Sequence, residues 1–166
     1  MTIVLQQGDV LVQHDNTWWT QVAKLLANQP YPHAIIIDNP EKLLVWQSIY
    51  NGVGASTMTM EDVLARFEIW RPNTTPEVKK AALALIRTNA HRLYGYANLL
   101  IVLAMYKLRV TKRPNFLKED GDEGYICSQL IAEGYAKAGY DLVPELDDED
   151  TKPWDLRNPK TMTRIY

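Results

Sequence analysis

Apolar positions along this chain change their spacing from stretch to stretch, and the changes mark out elements. After a Gly8-Asp9 turn, residues 10–12 form a short strand. A helix capped by Asn16 or Thr17 is expected to run to about residue 27, with Trp18, Val22, Leu25 and Leu26 on one face. Asn28-Gln29-Pro30 ends it, because proline has no N–H for the helical ladder. Residues 33–38 and 43–50 are apolar, rich in branched side chains, and read as two strands. The turn Asn39-Pro40-Glu41-Lys42 joins them, and Asn51-Gly52 is a further turn signal. Residues 60–67 suggest one or two helical turns, and residues 68–71 a third strand of this group, stopped by Pro72.

Helical spacing then takes over. Thr74-Thr75-Pro76-Glu77 places a hydroxyl cap, a proline and an acid at a helix start. Val78, Ala81, Ala82, Leu85 and Ile86 carry the helix to about residue 93, and Gly95 breaks it. A second apolar helix is expected over residues 96–108, followed by a basic segment, Pro114 and a polar loop at 118–124. A third spans about 126–138, with Gly139 as its C-terminal cap. The acidic run 145–150 reads as a solvated loop, and the last sixteen residues as extended. Strands followed by helices give an α+β class rather than alternating α/β.

Composition narrows the picture. The chain has 166 residues, which fits a single domain over 1–166. One cysteine allows no internal disulfide, so folding does not depend on oxidation, which fits a reducing compartment. No basic stretch followed by an apolar core stands at the N-terminus, so no signal peptide is expected and the cytoplasm is the expected location; export by another route stays open. The longest apolar stretch, 97–105, falls short of the ~20 residues that span a bilayer. A net charge of -2 argues against a nucleic-acid partner. The cysteine and three scattered histidines lack zinc-type spacing, and no glycine-rich phosphate loop is present, so no metal or other cofactor is expected.

The candidate chemistry centres on Cys127. It opens a helix, where free N–H groups and the helix dipole favour a thiolate. Leu130, Ile131, Gly134 and Ala138 share its side, so a buried cysteine acting as a small hydrophobe is the competing reading. As a nucleophile it needs a base. His14 lies in a polar turn and His91 near a helix end, whereas His33 begins a strand and can reach a cleft from there. A third group must accept the second imidazole N–H. Gln47, polar within an apolar strand, is the candidate, with an outward-facing strand residue as the plain alternative; Asp38 sits at the far end of the His33 strand. The backbone N–H of Cys127 or Ser128 could face a developing oxyanion.

These pieces, in this order, resemble the circularly permuted papain-like hydrolases of the NlpC superfamily, in particular the YiiX/YebB-like branch. Gly8-Asp9-Val10-Leu11-Val12 is similar to the family's opening Gly-Asp strand, and residues 18–28 to the helix before its histidine. Tyr31-Pro32-His33-Ala34-Ile35-Ile36 is similar to its histidine strand, and Trp46-Gln47-Ser48 falls where its third polar residue stands. Tyr94-Gly95-Tyr96 resembles a Tyr-Asp-aromatic segment, Tyr125-Ile126-Cys127-Ser128-Gln129-Leu130 its Tyr-x-Cys-Ser-x-Leu helix start, and Pro153-Trp154-Asp155-Leu156 its Pro-x-Asp-Leu tail. Gln47 replaces the usual glutamate, and Gly95 the aspartate.

The resemblance implies a small antiparallel sheet or barrel against a helical layer. It also implies a Cys127–His33 dyad completed by Gln47, with Ser128, Tyr125 and Tyr31 around the substrate. The implied activity is cleavage of an amide, in a peptide or peptidoglycan fragment, through an acyl-enzyme. Two rivals stand beside it. Permuted relatives similar to lecithin–retinol acyltransferase act on lipid acyl esters, and residues 97–108 with Trp18-Trp19 could line an acyl-chain site. The other rival is an inert binding module that keeps Cys127 and His33.

Overall fold

A computed structural model describes residues 3–14, 33–49, 52–92 and 126–166. The helices expected over 16–27 and 96–108, the segment around Gly95, the loop at 118–124 and Asn51 lie outside the described residues. Among the described residues, six strands form one antiparallel sheet: β1 (Val10–Gln13), β2 (Ala34–Asn39), β3 (Leu44–Ile49), β4 (Gly52–Thr57), β5 (Phe67–Pro72) and β6 (Met162–Arg164). Their order across the sheet is β4-β3-β2-β1-β5-β6. Helix α1 (Met60–Arg66) precedes β5, α2 (Pro76–Thr88) follows it, and α3 (Cys127–Lys137) comes later. The class is α+β.

The inner strands are apolar on both faces because both faces are covered. Val10, Val12, Ala34 and Ile36 pack with Ala82, Leu83 and Ile86 of α2 and Leu130, Ile131 and Tyr135 of α3. The alternate residues Leu11, Ile35, Ile37, Val45, Phe67 and Ile69 pack with Leu5 and with Val63 of α1. Register pairs such as Val10↔Ile36 and Leu11↔Ile69 hold this alternation, since a one-residue slip would exchange the faces.

Local chemistry explains most boundaries. Asn39 Oδ1 accepts the Lys42 N–H at 3.0 Å, closing the β2–β3 turn. Thr59 Oγ1 accepts the Asp62 N–H at 3.0 Å and caps α1. Thr75 caps α2 in the same way, followed by Pro76. At the end of α3, Tyr140 N–H reaches Tyr135 C=O and Gly139 N–H reaches Ala136 C=O, both at 2.9 Å. Gly139 supplies the left-handed residue, φ +87°, that this Schellman arrangement requires.

Four expectations need correction. Strand β4 was not foreseen: Gly52-Val53-Gly54-Ala55-Ser56-Thr57 is small and glycine-rich, with little intrinsic strand preference. Pairing from Leu44↔Thr57 to Ile49↔Gly52 makes it a strand. Helix α2 ends at Thr88 rather than near residue 93, because His91 N–H and Arg92 C=O bond the backbone of Val53 at 2.9 Å each. The acidic run is not a solvated loop throughout: Asp148–Asp150 is a 3-10 turn, and Asp150 and Thr151 are buried. The C-terminal segment is extended only in β6; turns precede it and bury Leu156.

Gly8, at the turn into β1, has φ +86°. Its carbonyl accepts the Tyr135 hydroxyl at 2.6 Å, and a Cβ there would stand 2.7 Å from that hydroxyl. Asp9, fully buried, receives two 2.8 Å hydrogen bonds from Arg71 of β5, tying the two strands together.

Candidate active site

His33 lies just before β2, where its carbonyl accepts the Gln13 N–H at 2.9 Å and fixes it against β1. Pairing of Ile36 with Trp46 puts Gln47 across from Ile35, so His33 and Gln47 are diagonal neighbours on one face. His33 Nε2 lies 2.9 Å from Gln47 Oε1. An amide oxygen only accepts, so Nε2 carries the proton, and Nδ1 is the nitrogen left for another partner. The Gln47 amide is held in turn, since its Nε2 donates to Ser56 Oγ at 2.8 Å.

Cys127 is the first residue of α3 and is buried. Its side chain and that of His33 interact directly, each favouring the charged form of the other. Burial works against the charged form of each and is the largest single influence on each. Their mutual interaction overcomes it. Gln47 adds to the imidazolium, while the backbone N–H groups of Ala34 and Ser128 favour the thiolate. The charge of Arg66 opposes the imidazolium but does not reverse the balance. The thiol therefore titrates below its ordinary value of 9.0, and the imidazole above 6.5. Each shift is in the direction that favours thiolate and imidazolium.

Helix α3 is seated by its own first turn. Gln129 Oε1 accepts the Ile126 N–H at 3.3 Å, and Gln129 Nε2 donates to the Glu149 carbonyl. Ser128 Oγ donates to the Thr151 carbonyl at 2.6 Å. The Ser128 hydroxyl thus faces the interior, and only its backbone N–H faces the sulfur. Tyr31 and Tyr125 lie outside the described residues, as do Trp18-Trp19 and residues 97–108.

The remaining candidates sit elsewhere. His14 and His91 are exposed. Asp38 pairs with Arg87 and accepts the Trp46 indole N–H at 3.0 Å, so it holds β2, β3 and α2 together. Ser56 and the Gln129 strut escape sequence reading: one lies in an unforeseen strand, and the other acts through bonds to backbone. Among the described residues, no group of three or more His, Cys, Asp or Glu is arranged to hold a metal ion. Nor, among them, is any helix long and apolar enough to cross a membrane.

No family model matches the chain. No curated protein matches it. Among solved structures, the crystal structure of the metalloprotein yiiX from Escherichia coli O157:H7 is similar, with a TM-score of 0.65 and 11% identity. The match covers 98% of this chain and 97% of that one. Likeness at this identity is one of fold.

Proposed function

We propose that this chain is a thiol hydrolase with a permuted papain-like, NlpC-type fold, a single domain acting in the cytoplasm on an amide in a peptide or peptidoglycan-type substrate. The observation that carries the reading is the Cys127–His33 pair backed by Gln47 Oε1 at 2.9 Å from the ring. In a helix-start cysteine that serves only as packing, nothing calls for a buried imidazole partner with its own orienting acceptor.

In the proposed reaction the Cys127 proton rests on His33, and the thiolate attacks the substrate carbonyl carbon. The oxyanion forms near the Cys127 backbone N–H. As the intermediate collapses, the C–N bond breaks and the imidazolium proton passes to the departing amine. A thioester remains. His33 then takes a proton from water, whose oxygen attacks the thioester carbonyl; the C–S bond breaks, releasing the acid and restoring the pair. Gln47 keeps the ring in line throughout. The proposed steps are carried by Cys127, His33 and Gln47.

Replacing Cys127 by Ala tests the reading. It should abolish both hydrolysis of peptidoglycan stem peptides and covalent capture by a thiol-reactive acyl probe. Undiminished hydrolysis in Cys127→Ala would overturn it.

A further inference from the structure

Across β2, β3 and β4 a polar line crosses an otherwise apolar face. Ser56 stands opposite Val45, and Gly54 opposite Gln47, so Ser56 is diagonal to Gln47 as Gln47 is to His33. Gly54 puts no side chain between them. The line is continuous in hydrogen bonds: His33 Nε2 to Gln47 Oε1 at 2.9 Å, and Gln47 Nε2 to Ser56 Oγ at 2.8 Å. Building on the proposed roles of Cys127 and His33, we propose that Ser56 is a positioning residue, holding the Gln47 amide with its oxygen toward the imidazole.

The argument turns on what an amide is. A carboxylate can offer either oxygen to an imidazolium, and its charge attracts the ring in any orientation. An amide has one useful end. Turned over, it sets an N–H group against the Nε2–H of the imidazolium, two donors facing each other. With the oxygen toward His33, the half-buried amide N–H needs an acceptor of its own, and Ser56 Oγ is that acceptor. Without it, no described residue accepts that N–H while the oxygen faces His33. Glutamine here therefore needs a support that glutamate would need far less.

The chain's sole cysteine makes the test direct. The ultraviolet absorbance of the Cys127 thiolate, read against Cys127→Ala, is titrated with pH in the intact protein. In Ser56→Ala the titration midpoint should rise by about one unit, a tenfold loss of thiolate below it. Ser56→Thr keeps the hydroxyl and should stay near the parent. In a Gln47→Glu background, Ser56→Ala should move the midpoint by less than half as much. An unchanged midpoint in Ser56→Ala, or equal shifts in both backgrounds, would overturn the inference while leaving Cys127 as nucleophile. A parent thiol titrating at its ordinary value would overturn both.

Discussion

At the scale of single residues, the site is a contest between burial and pairing. Burial alone would lift the Cys127 thiol above 9.0, and only the imidazolium and two backbone N–H groups reverse the direction. The sign of a substitution follows. His33→Ala removes the largest opposing influences and leaves only the two backbone N–H groups against burial, so the thiol midpoint should rise. Thiolate absorbance near neutral pH should vanish, and turnover should fall by roughly 10²–10⁴-fold, the usual worth of a general base. Thiolate absorbance retained at neutral pH in that variant would show that His33 does not set the charge state. These two residues were legible because the chain has few of their kind: one cysteine at a helix start and one histidine at a strand start. Gln47 stood out as a polar residue in an apolar strand. Ser56 did not, since a serine among glycines and alanine carries no signal until its strand is paired.

At the scale of elements, the position of Cys127 depends on how α3 is docked. Gly134 faces α2, where a Cβ would lie 2.7 Å from Ile86 Cγ1 and 3.3 Å from the Ala82 carbonyl. A residue with no side chain is what lets the two helices approach this closely. Gly134→Ala should destabilise by about 1–3 kcal/mol, the usual cost of overpacking a close contact, despite alanine's better helix propensity. The chemical denaturation midpoint would record this, and a stabilised variant would contradict the packing. Sequence periodicity found α3 and its buried side because the apolar spacing is regular and Gly139 closes it. It misjudged the acidic run because charge in a sequence does not reveal backbone carbonyls. The Glu149 and Thr151 carbonyls accept from Gln129 and Ser128, and that draws the segment inward. The end of α2 was misplaced for a related reason: the bonds that stop it belong to Val53, far away in sequence.

For the whole molecule, acidity is unevenly spread. Asp148 is partly buried and faces Asp141, Glu133 and Asp147, with Lys137 only partly offsetting them. Burial first, and then these like charges, push its carboxyl from 3.8 up to about 6. A carboxyl that binds its proton more tightly when folded makes the folded state less stable as pH rises from 3.8 through about 6, and the penalty is complete above that range. Asp148→Asn should therefore raise Tm at neutral pH, and the gain should shrink as pH falls below about 6 and disappear near 4. A gain that does not change with pH would mean that charge is not its origin. The α+β class and most strands of the sheet were readable from apolar spacing, because burial on both faces leaves long apolar runs. The strand order was not, since pairings such as β1 with β5 join segments far apart in the chain.

That strand order also has a consequence for how the molecule comes together. Strands β2, β3 and β4 follow one another as neighbouring hairpins, so the line from His33 through Gln47 to Ser56 requires only short-range chain closure. The sulfur belongs to a helix that must dock across a long sequence separation. Until it docks, Cys127 is an ordinary thiol, mostly protonated at neutral pH and slow to react. The receiving half of the site can thus form without α3, and the sulfur is activated only when α3 docks. A nascent or partly unfolded chain carries no activated sulfur to be oxidised or to attack its neighbours.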